Sequence, residues 1–300
     1  MDSLPNILYH YTSQAGLLGI IQTREIWATN LLFLNDSMEL NYALQILHKE
    51  IKNLEKSVSP EEFGFVNEFG ENLDTVNAPL SQNVAGIYVC SFSKTRDQLS
   101  QWIGYCPDEG GFSIGFDFNL LPPNLFKDQG FAFVKCIYDE KEQSGMIVKF
   151  LNTVIEAYCK NGVDPANTKR WEDFFSLAPQ LKHPKFEDEQ EWRLISKPTP
   201  IEDAEFRIGK SMLVPYLKIR LAEAQDKSIE NKDIKKPLCC ISEIYIGPTT
   251  HPNLSNISLE NLLSKEGIIK SIDCDSGTVQ KCEIKKSEIP YRPLGRFASR

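Results

Sequence analysis

Several patterns that would settle a function quickly are missing from this chain. Its four histidines are widely scattered, and none of its eight cysteines lies in a Cys-x-x-Cys pair. A zinc or other metal site is therefore not expected. Adjacent Cys239 and Cys240 suit neither a shared metal nor a relaxed disulfide. The cysteines read instead as buried free thiols of a reducing cytoplasm. The longest apolar run, Ala15 to Ile21, falls far short of the roughly 20 residues that cross a bilayer. Met1-Asp2-Ser3-Leu4-Pro5 has neither a basic leader nor an apolar segment, so the expectation is a cytoplasmic protein with no membrane role. The sequence has no Gly-x-Gly-x-x-Gly after a strand, no phosphate-binding Gly-x-x-x-x-Gly-Lys-Ser/Thr and no His-Glu-x-x-His. Gly-x-Ser-x-Gly is absent too.

What the chain does have is ordinary globular composition: 300 residues, 41% hydrophobic, 25% charged and 10% aromatic. Lys and Arg number 33 against 41 Asp and Glu, a net charge of −8, which argues against a bulk nucleic-acid binder. The charge is uneven. Residues 1–100 hold six basic and twelve acidic side chains, whereas residues 281–300 hold six and two. The basic end, with Lys285, Lys286 and Arg292, reads either as a solvated terminus or as a local phosphate-binding patch.

Residues 7–11 read as a strand. Thr12 or Ser13 caps a helix carrying Leu17, Ile20 and Ile21, and Glu25 to Thr29 returns as a second strand. Asp36-Ser37-Met38-Glu39 has capping-box spacing ahead of a stripe of Leu40, Leu44, Leu47, Ile51 and Leu54. Asn35 or Asp36 has an alternative reading as an acceptor contact. A helix is expected over 60–75, another over Asp97 to Tyr105 capped by Asp97, and two more over 143–160 and Trp171 to Leu181. Strands are expected at Val84 to Phe92, Gly111 to Phe118, Phe131 to Tyr138, Glu191 to Ser196, Met212 to Ile219, Leu238 to Ile246, Gly267 to Cys274 and Val279 to Ile284. Polar residues 222–237 read as a mobile loop. Irregular alternation of strands and helices points to one elaborated α+β domain over 1–300.

Polar residues at strand ends are the places for chemistry. Tyr9-His10-Tyr11-Thr12 closes the first strand; its histidine reads as a core residue or a ligand contact. In Cys90-Ser91-Phe92-Ser93, Ser91 and Ser93 share a sheet face, as turn caps or as ligand contacts. In Glu187-Asp188-Glu189-Gln190-Glu191, the carboxylates of Glu189 and Glu191 also share a face, suiting ribose hydrogen bonding or general-base work if not merely solvated. Arg193 reads as a partner for nearby carboxylates, expected on the face opposite Glu191.

Taken in order, these three motifs resemble those of the ADP-ribosyltransferase superfamily. The resemblance implies a split β-sheet core with peripheral helices and NAD as the substrate. Under it, His10 holds the adenosine-side ribose, the strand of Ser91 and Ser93 supports the nicotinamide ribose, with Ser91 steadying Glu191 or that ribose, and Tyr11 or Tyr105 stacks on nicotinamide. Glu191 binds the ribose 2′-hydroxyl and Glu189 orients or deprotonates the acceptor. Thr12 and Trp102 are further contacts, although Trp102 also reads as core. A longer resemblance, to the bacterial family known as domain of unknown function 2971, runs from about residue 7 to 250. It rests on Leu8-Tyr9-His10-Tyr11-Thr12, Asn35 to Glu39, Val89 to Ser93, Leu99 to Tyr105, Gly111 to Phe116, Lys182-His183-Pro184 to Arg193 and Glu243 to Pro248. Members of that family often carry Lys where His10 stands. The expectation is an NAD-dependent ADP-ribosyltransferase-like enzyme, a toxin or phage-defence effector modifying a protein or nucleic acid. The alternatives are a non-catalytic nucleotide- or NAD-derivative-binding sensor and a structural component of a defence or toxin–antitoxin complex.

Overall fold

The computed structural model describes residues 5–34, 38–76, 86–106, 110–161, 168–209, 211–221, 240–268, 271–272, 279–280 and 282–290. Asn35, Asp36, Arg292, Cys239, Cys274 and the expected loop 222–237 lie outside them.

The architecture is α+β, a mixed and largely antiparallel sheet with helices on both faces. The first strand, β1 (Ile7–Ser13), alternates apolar and polar residues and runs straight into α1 (Gln14–Thr23). Ser13 Oγ accepts from Gly16 N at 3.1 Å and so caps that helix. A side chain at residue 16 would collide with Thr12 Oγ1, so the strand-to-helix turn requires glycine. Arg24, in the left-handed region at φ 61°, ends α1 and leads into β2 (Glu25–Asn30).

Two helices follow, α2 (Met38–Leu54) and α3 (Pro60–Val76), and then β3 (Tyr88–Ser93), α4 (Leu99–Tyr105) and β4 (Gly111–Asp117). The short α5 (Leu125–Asp128) precedes β5 (Phe131–Lys135), and α6 (Glu140–Asn161) and α7 (Thr168–Leu177) precede β6 (Glu191–Ser196). The rest comprises β7 (Glu205–Ile208), β8 (Leu213–Arg220), β9 (Ile241–Ile246), α8 (Pro252–Lys265), β10 (Ser271–Ile272), β11 (Val279–Gln280) and β12 (Glu283–Lys286). The sequence reading lacked α5, β7 and α8. Of the strand expected from Gly267 to Cys274, only Ser271 and Ile272 are described as extended.

The strand order is β12-β9-β4-β1-β3-β2-β8-β7, with β6 and β5 branching from β3. The branch point determines the geometry of the site. β6 covers one edge of β3 along its whole length, from Val89↔Ile195 to Ser93↔Glu191. The other edge is shared: β1 meets β3 only at Tyr9↔Ser93, and β2 meets it at Thr29↔Val89 and Asn30↔Tyr88. Three strands carrying the polar motifs are thus neighbours in the sheet.

Period-two alternation sorts side chains to two cores. Leu8, Cys90, Phe92, Trp192 and Leu194 face the core under α1 and α8. Val89 and Ile195 face the core built with α2, α3, α6 and α7. Tyr9, Tyr11, Trp102 and Tyr245 form a third, aromatic cluster, with Tyr11 and Trp102 edge to face at 4.8 Å.

Candidate functional site: a buried ionic cluster on the second core face

Register places Tyr9, Ser93 and Glu191 in one row across β1, β3 and β6, all on the same face. Arg193 lies two residues along from Glu191 and opposite Ser91, so it shares that face too. This corrects the expected opposite placement. Arg193 and Glu191 are buried, and the arginine is a partner of carboxylates as expected. Its Nε donates to Glu191 Oε1 at 2.7 Å and its Nη2 to Glu191 Oε2 at 2.9 Å. The same guanidinium reaches α2, donating to Glu39 Oε2 at 2.8 Å and Oε1 at 2.7 Å, and to the Pro179 carbonyl at 2.8 Å.

Both oxygens of Glu39 are thus engaged by an arginine 154 positions away, a charged bidentate pairing, while Asp36, the residue its expected cap would reach, lies outside the described residues. The second cation is Lys182, held by the chain between a 3₁₀ turn (Ala178–Gln180) and another (Pro184–Glu189). The Lys182 amide donates to Ile137 O at 3.1 Å. Gln143 Nε2 donates to the carbonyls of Ile137 and Lys182 at 2.6 and 2.8 Å, fixing that stretch against α6. Lys182 Nζ lies 2.5 Å from Glu189 Oε2, hydrogen-bonds Glu191 Oε2 and stands 3.7 Å from Glu39 Oε1.

Three carboxylates thus share two cations in an almost dry setting. Burial alone would raise the Glu191 carboxyl, but the Arg193 and Lys182 charges and hydrogen bonds outweigh it and hold it at about 2. Burial opposes the charge on Lys182, yet Glu191 and Glu39 raise it well above the usual lysine range. Both groups are ionised at neutral pH.

The turn before β6 sets Glu189 apart from Glu191. Gln190 adopts the left-handed conformation at φ 43°, so Glu189 ends a 3₁₀ turn rather than occupying the strand. The two carboxylates meet at Lys182 and not through shared strand alternation, which corrects the expectation. Ser93 Oγ donates to the Glu189 carbonyl at 2.7 Å and accepts from Thr95 N at 3.0 Å, pinning this turn to the end of β3. The Tyr138 hydroxyl accepts from Glu191 N at 2.9 Å. Glu189 is the most accessible carboxylate of the cluster, at 15% side-chain exposure against 3% for Glu191. Its Oε1 has no partner among the described residues. Tyr105, 38% exposed, lies beside the cluster; burial and the Glu191 charge raise its hydroxyl.

The remaining predicted residues divide between the two faces: Tyr11 shares the Glu191 face and bonds Thr95 at the end of β3, with Trp102 packed on it, whereas His10 and Thr12 do not. His10 and Thr12 alternate with Tyr9 and Tyr11, so they point to the opposite face from Glu191. The His10 ring packs 5.7 Å from Phe92, and its Nδ1 lies 2.9 Å from Ser91 O. Burial lowers its pKa, and the Ser91 carbonyl opposes that only in part. The Tyr11 hydroxyl donates to Thr95 O at 2.8 Å and accepts from Gln98 N at 3.1 Å. Trp102 is buried and donates through Nε1 to Asp97 Oδ1 at 2.6 Å. Asp97 consequently does not cap α4: it holds the indole, Ser287 Oγ at 2.7 Å and Glu288 N at 2.8 Å. Of the predicted residues, the fold gathers Ser91, Ser93, Glu189, Glu191 and Tyr105 around one strand end. Lys182 and Glu39 are members that sequence reasoning did not assign to the site. A lysine ahead of an acidic run was the available signal for Lys182.

A second buried carboxylate lies on the same sheet face. Glu243 accepts from the Tyr9 hydroxyl and from Lys285 Nζ, and Lys285 also pairs with Glu283 at 3.0 Å. Lys285 is thereby an ion-pair member, while Arg292 lies outside the described residues. Of the six described cysteines, Cys90, Cys136, Cys240 and Cys282 are buried, Cys106 is half-buried and Cys159 is exposed. Among the described residues no helix is long and apolar enough to cross a membrane.

Residues 101–194, about a third of the chain, match the family model described as protein of unknown function (DUF2971). That span includes Trp102, Tyr105, Lys182, Glu189, Glu191 and Arg193, and supports the second resemblance over a shorter stretch than the motifs suggested. It provides no link to ADP-ribosyltransferases. No curated protein and no solved structure matches the chain.

Proposed function

We propose that the chain binds NAD beside the β3–β6 strand end and transfers its ADP-ribose group to a macromolecular acceptor. The observation that carries this reading is the row Tyr9–Ser93–Glu191, which turns the order of three sequence motifs into adjacency in the sheet. Cleavage of the nicotinamide–ribose bond passes through an oxocarbenium-like state and needs a fixed negative charge beside the ribose more than a nucleophile. Glu189 suits that role: it is ionisable, partly open, and anchored among the described residues by Lys182 on one oxygen only. Its free oxygen accepts the ribose 2′-hydroxyl proton in a hydrogen bond as positive charge develops. Nicotinamide leaves with the bonding electron pair. An acceptor lone pair then forms the new bond to the ribose carbon, and the acceptor's proton passes to Glu189 or to water. Glu191, occupied on both oxygens, is a positioning residue that fixes Lys182. Tyr105, exposed beside the cluster, suits stacking on nicotinamide, and Ser93 holds the Glu189 turn. In this reading His10 and Thr12, on the opposite face, and Tyr11 and Trp102, engaged by Thr95, Gln98 and Asp97, serve as framework rather than ligand contacts.

The complete occupation of Glu191 favours one further reading, binding of NAD or a related nucleotide without turnover, as in a sensor. Incubation of the purified chain with labelled NAD and a cell lysate, followed by separate protease and nuclease digestion, distinguishes the two. Release of nicotinamide with label on protein or nucleic acid supports the transferase and identifies the acceptor. Saturable NAD binding without release supports the sensor. A folded chain that does neither overturns both, including any NAD-dependent role in defence or a toxin–antitoxin pair.

A further inference from the structure

At the far end of the sheet from β12, the edge strand β7 pairs with no described strand other than β8 and carries an apolar surface. Its side chains are unusually exposed for their type: Ile208 is 89% and Phe206 56% exposed, with Leu213 at 63% and Met212 at 56% on the facing strand and turn. Alternation of the ladder shows which backbone groups face outward. Gly209 N donates to Met212 O at 2.9 Å, so Gly209, Arg207 and Glu205 hydrogen-bond inward to β8. Pro215, which has no N–H, stands opposite Phe206. The N–H and C=O groups of Phe206 and Ile208 therefore point away from the sheet. They bond to no described residue. An open edge of this kind, flanked by apolar side chains, is a template for an added strand.

The charges choose the occupant. Arg207 has no ion pair among the described residues; it donates to Thr29 Oγ1 at 3.2 Å, and its buried Nε has no partner. Glu205 lies two residues away on the same face, pairing with Lys218 at 2.6 Å and Tyr216 at 3.0 Å. A strand that brings a carboxylate opposite Arg207 and a cation opposite Glu205 fits this edge, and β7 itself has that pattern.

We propose that two copies of the chain associate by antiparallel β7–β7 pairing about a twofold axis at Phe206. In that register Phe206 faces its own counterpart as a hydrogen-bonded pair, and Ile208 faces Ala204, which offers only its carbonyl because its N–H already donates to Ile201 O at 3.0 Å. Glu205 then faces Arg207 of the second copy, twice, at the closely spaced non-hydrogen-bonded positions where cross-strand charges interact most strongly. Shifting the axis to Arg207 instead sets the two arginines against each other, so charge selects the first register. The contact is isologous and closes at two copies. It covers the exposed Phe206 and Ile208 and supplies Arg207 with a carboxylate.

Sedimentation velocity across micromolar to near-millimolar chain tests this. The expected result is a concentration-dependent dimer for the native sequence. Arg207→Glu places carboxylates opposite one another, Glu205→Arg places cations opposite one another, and each alone is expected to be monomeric. Mixing the two variants restores both attractive pairs, so a one-to-one heterodimer is expected. Phe206→Pro, which removes the outward N–H and the exposed ring but no hydrogen bond to β8, is expected to be monomeric with an unchanged circular dichroism spectrum. A native chain that stays monomeric throughout overturns the proposal, even if the edge captures a different peptide. So does a dimer indifferent to Phe206→Pro, or charge variants that remain folded and do not pair when mixed.

Discussion

Replacing Arg193 by Met tests the ionic cluster where it is most concentrated. The substitution retains much of the apolar stem but removes five hydrogen bonds, two to Glu191, two to Glu39 and one to Pro179 O. Three carboxylates are then left around Lys182 alone, with Glu191 and Glu39 buried. Adding five bonds at their individual strengths would overshoot, because the ion pairs already offset a large desolvation cost. Breaking a buried pair from one side costs about 3–5 kcal/mol, a large share of the roughly 5–15 kcal/mol that stabilises a domain. Arg193→Lys keeps the charge and loses the planar fork, so an intermediate loss of about 2 kcal/mol is expected. Equilibrium denaturation by urea, monitored by tryptophan fluorescence and circular dichroism together, measures both. A loss below about 1 kcal/mol for Arg193→Met would refute the view that this cluster ties α2 to β6.

Two further outcomes follow from the structure. Glu191 drops from 4.5 to about 2, equivalent to about 3 kcal/mol. A depressed carboxylate stabilises the fold fully above its unfolded pKa, so that contribution should fade as pH falls from 4.5 towards 2. The loss should be much smaller in Glu191→Gln, whose stability is lower at neutral pH; parallel pH profiles for the two chains would contradict it. Gly247→Ala would bring a methyl group within 2.8 Å of the Trp102 ring and 3.0 Å of the Gly111 carbonyl. Since Trp102 is buried, a loss of about 2 kcal/mol in urea denaturation is expected, and an unchanged midpoint would count against the packing described.

The fold was legible wherever burial leaves a periodic imprint. β1, α1, β2 and the stripe of α2 follow from alternation and helical spacing, because each buries a full row of apolar side chains. α8 was not legible, since only Leu259 and Leu263 are buried while Leu254 and Ile257 face solvent. β7 was missed for a similar reason, having no fully buried residue. Within the site, Ser91, Ser93, Glu189 and Glu191 could be named in advance because strand ends collect polar groups. Their partners could not: Glu39 and Asp97 look like helix caps locally and are claimed by residues far along the chain. Arg193 is different, for its place on the Glu191 face follows from period-two counting alone. His10 illustrates the limit of motif order, which brings strands together without deciding which face a side chain takes.

The central claim is that the partly open carboxylate beside Lys182, rather than its buried neighbour, acts on NAD. Nicotinamide release by the folded native chain, Glu189→Gln and Glu191→Gln in the presence of acceptor lysate tests it most directly. The expected results are measurable release by the native chain, a fall of about 100-fold or more for Glu189→Gln in a protein that keeps its native circular dichroism spectrum, and a loss for Glu191→Gln that accompanies a larger drop in stability. No release by the folded native chain, or undiminished release by Glu189→Gln, would contradict it.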